Sequence, residues 1–134
     1  MCKIAINCAR RYPFSVACTV LVWLLSLTPF LPETPLSNVR FIDKWTHFVM
    51  YGGTTFVVWW EYRRRHQGQQ PCWRRLAVWG FLAPIVMGGL LDLLQAYATT
   101  TRNGDWLDFA ANTVGVVIGA AAGLLAMALR RNLR

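Results

Sequence analysis

Apolar and polar positions alternate along this chain in long blocks. Four hydrophobic stretches, at about 14–31, 45–62, 76–98 and 107–129, are separated by short polar connections. A helix that crosses a bilayer needs about 20 mostly apolar residues, within a range of roughly 17–25. The first and fourth stretches meet that length outright. The second is shorter and carries His47 and Tyr51, and the third is interrupted near its end by Asp92 and Gln95. The pattern predicts an all-α integral membrane protein, residues 1–134 forming one domain of four transmembrane helices. Pro29, Pro32 and Pro35 are expected to end the first helix, because proline removes a donor and disfavours helix before it. Asp43 stands where an N-cap belongs for the second.

Small residues recur within the blocks. Gly115, Gly119 and Gly123 follow one another every fourth residue, with Ala111 one step earlier. Such a stripe lets a second helix come close, either within the bundle or in an oligomer. Gly52–Gly53 and Gly88–Gly89 offer similar approach on the second and third helices. Trp45, Trp59, Trp60, Trp73 and Trp106 fall near span ends, where aromatic side chains anchor at the lipid interface.

Composition sharpens the picture. The chain is 55% hydrophobic and 15% charged, too little polar surface to enclose a soluble core of this size. Its formal net charge of +8 is unevenly spread. Of the fourteen Lys and Arg residues, all but Arg40, Lys44 and Arg102 lie at the termini or between Arg63 and Arg75. By the positive-inside rule, both termini and that connection are expected on the cytoplasmic side. The positive charge then describes topology and contact with anionic lipid heads rather than a nucleic-acid site. The first stretch exceeds the usual apolar core of a signal peptide and has no small-x-small cleavage site after it, so it reads as a retained span. Cys2, Cys8, Cys18 and Cys72 show no CxxC pair and no metal-ligand spacing.

The acids are concentrated instead. Four of the six Asp and Glu residues, Asp43, Asp92, Asp105 and Asp108, fall at corresponding ends of the hydrophobic segments, with Lys44, His47, Gln95, Arg102 and Asn112. Asp43, His47 and Tyr51 follow at four-residue spacing and share a helix face. Asp92 and Gln95 share another. Asp105, Asp108 and Asn112 lead into the Gly115–Gly119 face. Asp92 follows Leu76 by sixteen residues, which at about 1.5 Å each places it about 24 Å from the cytoplasmic end, within the outer leaflet. A carboxylate there needs partners, and Lys44, His47 and Arg102 are the cations at that level. They are expected to meet the aspartates in one network.

The runs Asp43-Lys44-x-x-His47-Phe48-x-x-Tyr51, Asp92-x-x-Gln95 and Arg102-x-x-Asp105-x-x-Asp108-x-x-x-Asn112-x-x-Gly115 resemble the signature of the VanZ-like membrane protein family. The resemblance extends from about Asp43 to Gly119, and the family commonly has Glu where this chain has Asp92. It implies a multi-pass protein of the bacterial cytoplasmic membrane and a role in the cell envelope. The founding member is associated with resistance to the lipoglycopeptide teicoplanin.

Three uses of the polar set follow. The first is binding of a lipid headgroup, a lipid-linked cell-wall precursor or a lipoglycopeptide through Asp43, Lys44, His47, Tyr51, Asp92, Gln95, Arg102, Asp105, Asp108 and Asn112. Because the four aspartates outnumber the nearby cations, a zwitterionic, sugar or amine-bearing ligand suits this balance better than a simple anion. The second is acid–base catalysis on a lipid-linked substrate, with His47, Asp92 and Asp108 as candidates. No cofactor is implied, one histidine among scattered aspartates matches no metal spacing, and proton-coupled transport would ask for more than four helices. The third is a purely structural network, in which Asp43 and Asp105 cap helices.

Overall fold

The computed structural model describes residues 10–27, 42–67, 69–98 and 106–132, apart from the side chains of 42, 43, 95, 96, 98 and 130–132. Helices account for nearly all of them, and no strand occurs among the described residues. Helix α1 is Pro13–Leu27, α2 is Ile42–Arg65 and α4 is Trp106–Asn132. Helix α3 consists of Trp73–Ala77 and Ala83–Ala98 joined through a π-helical turn, Val78–Leu82.

The start of α1 shows why a helix forms there without a capping side chain of its own. Pro13 occupies the first position, where its missing N–H costs nothing. The Val16 N–H donates to the Tyr12 carbonyl at 3.0 Å. The remaining orphan donors, the N–H groups of Phe14 and Ser15, donate to the Glu61 carboxylate of α2 at 3.4 and 2.8 Å. The Ser15 hydroxyl adds a third bond to it at 2.7 Å. Residues 28–31, expected to continue this helix, and the prolines beyond lie outside the described residues.

Helix α2 is longer than its apolar stretch by three residues at each end. Arg63, Arg64 and Arg65 form its last turn, where positive charge complements the helix dipole. At the other end the helix already includes Ile42, so Asp43 lies in the first turn and not at the cap position expected of it.

Helix α2 is the centre of the bundle. It supplies Tyr51 to one buried cluster, with Val22, Leu91 and Val116. It supplies Trp59 and Tyr62 to the other, with Leu76 and Ala120. Its closest partner is α4, and the glycine stripe makes that approach. A Cβ on Gly115 would come within 2.5 Å of the Phe48 carbonyl oxygen, one on Gly119 would collide with the Gly52 carbonyl, and one on Gly123 would reach 2.5 Å from Trp59 Cβ. The stripe is therefore occupied by α2 of the same chain. Gly53, by contrast, faces nothing within 4 Å. Trp59 is also not an interfacial anchor. It is buried, and its indole N–H donates to the Gly80 carbonyl at 2.9 Å, inside the widened turn of α3.

The outward surface is apolar. Leu21 and Leu24 of α1, Trp79, Leu82, Leu90 and Leu93 of α3, and Val117, Ile118 and Leu125 of α4 are all exposed. Two helical segments, Trp73–Leu94 and Trp106–Leu129, are long and apolar enough to cross a membrane, and Pro13–Leu27 is apolar but shorter. Ile42–Arg65 has the length, about 36 Å, but not the apolarity. Of the polar groups that lower it, Thr54, Thr55 and Glu61, in the middle and later part of the helix, are buried, whereas Lys44, Thr46, His47 and the three arginines stand towards its ends. A helix enclosed by protein has less need of an apolar surface than one facing lipid.

Candidate functional site

The beginning of α2, the later part of α3 and the beginning of α4 meet at one end of the bundle, and their polar side chains are in contact. Lys44 Nζ lies 3.1 Å from Asp108 Oδ1, joining α2 to α4 in a pair whose side chains are 24% and 21% exposed. Asp108 sits in the first turn of α4, where an acid also suits the helix dipole.

A second chain of contacts runs deeper. Asn112 of α4 is fully buried and bridges α2 and α3. Its Nδ2 donates to Asp92 Oδ2 at 3.2 Å, and its Oδ1 lies 3.0 Å from His47 Nδ1. The Asn112 amide is oriented with its NH2 towards the Asp92 carboxyl oxygen, which accepts from it. With the NH2 turned to Asp92, the Asn112 oxygen faces His47, so the imidazole carries a proton on Nδ1. His47 thus reaches Asp92 through Asn112.

Packing holds this arrangement in place. Tyr51, buried one turn below His47, lies parallel to its ring with centroids 6.4 Å apart. Gly88 leaves room for both partners, since a Cβ there would stand 3.2 Å from Asn112 Nδ2 and from Tyr51 Cε1. Gly89 does the same for Phe109. Asp92 Oδ1 is enclosed and has no hydrogen-bond partner among the described residues. Thr55 Oγ1 shares that condition further along α2.

Of the residues expected at the site, Lys44, His47, Tyr51, Asp92, Asp108 and Asn112 are brought together. The side chains of Asp43 and Gln95, and all of Arg102 and Asp105, lie outside the described residues. No three His, Cys, Asp or Glu side chains converge as metal ligands do among the described residues.

The opposite end holds a carboxylate that the sequence patterns did not single out. Glu61 is 2% exposed, and its described partners are the N–H groups and hydroxyl at the start of α1. A clue was present in its position, an acid inside an aromatic run that precedes three arginines. Two of those arginines lie over aromatic faces: Arg64 is 5.4 Å from the centre of the Trp60 ring and Arg65 is 6.0 Å from that of Tyr12.

Comparison of the chain with protein-family models, with curated proteins and with solved structures finds no match.

Proposed function

We propose that this chain is a VanZ-like protein of the bacterial cytoplasmic membrane that holds the polar head of a lipid or wall-linked molecule between the outer ends of α2, α3 and α4. In this reading all four helices span the bilayer, α2 enclosed by the other three, with both termini and the Arg63–Arg75 connection cytoplasmic. The observation that carries the reading is the chain His47–Asn112–Asp92, contributed by three helices, which ends in a carboxyl oxygen without a partner among the described residues. Ionisable groups at membrane depth are costly and tend to mark functional sites. A network whose purpose was structural would be expected to satisfy its own acceptors. Protection of the envelope against an acylated glycopeptide is the physiological role that the sequence resemblance favours.

The test is antibiotic susceptibility of a Gram-positive host expressing the chain or its Asp92→Ala variant at matched membrane levels, with teicoplanin and vancomycin side by side. Protection selective for the acylated drug and lost in the variant supports the reading. Absence of protection by the intact chain removes the resistance role, and protection unchanged in Asp92→Ala removes the site.

A further inference from the structure

The site's internal bonds determine which hydrogen-bonding positions remain for a ligand. Asn112 uses its amide group on Asp92 Oδ2 and its oxygen on His47 Nδ1. Lys44 and Asp108 engage each other. With the proton on Nδ1, His47 presents a lone pair at Nε2. The unpartnered atom of Asp92 is likewise an oxygen that accepts. Among the described residues, both unused positions on this chain of contacts are therefore acceptors, the Asp92 oxygen being enclosed by protein. Among the described residues, the side chain that donates to Asp92 is a neutral amide, so the carboxyl has no cation hydrogen-bonded to it there. A bound group that brings N–H donors together with positive charge satisfies both conditions.

The level of the site suggests where such a group comes from. Trp45 follows Lys44, Trp106 precedes Asp108 by two positions, and Tyr97 lies five beyond Asp92. These three aromatic side chains are 60%, 84% and 89% exposed. Exposed Trp and Tyr at the end of an apolar bundle are the usual mark of headgroup depth.

We infer that the site recognises a primary ammonium carried by a lipid headgroup, held by Asp92 Oδ1 and His47 Nε2. This rests on the headgroup-binding function proposed above and narrows it to one ligand chemistry.

The experiment uses the full chain in detergent micelles. It is offered equal amounts of phosphatidylethanolamine, phosphatidylcholine and phosphatidylglycerol with identical acyl chains, and retained lipid is counted by native mass spectrometry. The ethanolamine and choline lipids share phosphate and formal charge, but the choline nitrogen has no N–H to donate. The glycerol lipid has hydroxyl donors without positive charge. Phosphatidylethanolamine should be retained over either by about tenfold, the equivalent of one charge-assisted hydrogen bond. That preference should vanish in Asp92→Asn.

The comparison among lipids needs only the intact chain, so a variant that fails to fold does not obscure it. Equal retention of the three lipids, reduced together by Asp92→Asn, overturns the ammonium assignment and leaves a headgroup site standing. Retention that is both unselective and indifferent to Asp92→Asn in a folded variant removes the headgroup site as well. Free ethanolamine held as firmly as the lipid overturns the lipid as its source.

Discussion

The Trp59 indole N–H donates to the Gly80 carbonyl at 2.9 Å, and Pro84 explains why that carbonyl is available. In an unbroken α-helix, residue 84 would donate its N–H to the carbonyl of residue 80. Proline has no N–H, and its ring crowds that same carbonyl. The chain widens into a π turn over Val78–Leu82, with the Ala83 N–H reaching back to the Val78 carbonyl. Trp59 supplies the donor that Pro84 lacks. Trp59→Phe should therefore cost about 1–3 kcal/mol, the penalty for a stranded buried acceptor. In a Pro84→Ala background, where the backbone can provide its own donor, the cost should shrink. A double-mutant cycle in thermal unfolding of the detergent-solubilised protein measures the coupling.

Neighbouring glycines should respond in opposite ways. Gly119→Ala drives a methyl into the Gly52 carbonyl, a backbone atom of a packed helix that has little freedom to move. It should destabilise by about 1–3 kcal/mol. Gly53→Ala meets nothing within 4 Å and gains helix propensity, so it should be neutral or stabilising by up to about 1 kcal/mol. Midpoints of thermal unfolding for the two variants decide the matter.

Helix α1 is latched by one side chain. Glu61→Leu strands the Phe14 and Ser15 N–H groups and the Ser15 hydroxyl together. Each stranded donor that water cannot reach costs about 1–3 kcal/mol. Ser15→Ala removes one bond and leaves the backbone donors engaged, so its effect should be clearly smaller. Limited proteolysis at Arg10 and Arg11, which are exposed just before α1, should accelerate in Glu61→Leu well before Ser15→Ala.

The tautomer of His47 can be observed directly. The Nδ1 of His66 also faces a carbonyl, that of Tyr62 at 3.0 Å, so the measurement is made on His66→Gln protein, in which nitrogen-15 NMR of labelled histidine at neutral pH should show the one remaining ring with its proton on Nδ1. In Asn112→Leu the acceptor that holds the proton there is gone, and the signal should move toward the Nε2–H form. An unchanged spectrum would mean that Asn112 does not orient the ring.

Local spacing made much of the polar end legible. Residues three or four apart share a helix face whatever the tertiary fold, so Asp43, His47 and Tyr51 could be aligned without coordinates. Pairing between helices was another matter. One partner of Lys44 lies 64 positions away, and nothing in the local pattern favours Asp108 over another aspartate. The glycine stripe was visible in the same way, but its occupant was not. A repeat of small residues records that something comes close, not what it is. Gly53 looks the same as Gly52 in a sequence, and only the orientation of α2 against α4 tells which of two adjacent residues, facing different directions, meets the partner helix. Glu61 escaped notice because its partners include backbone N–H groups of another helix, which every sequence possesses. The proline that shapes α3 stands openly in the chain, yet its effect depends on a tryptophan 25 positions earlier.

The dependence of α2 on α4 has a consequence for biogenesis. In the bilayer arrangement proposed above, α2 reaches the membrane before α4 has been synthesised, carrying Thr54, Thr55 and Glu61 with little protein around them. The groove that Gly115, Gly119 and Gly123 provide does not yet exist at that stage. The second segment should thus integrate weakly alone and become secure late, when the last segment closes over it. Truncated chains released before α4 would then be the form most exposed to membrane proteases.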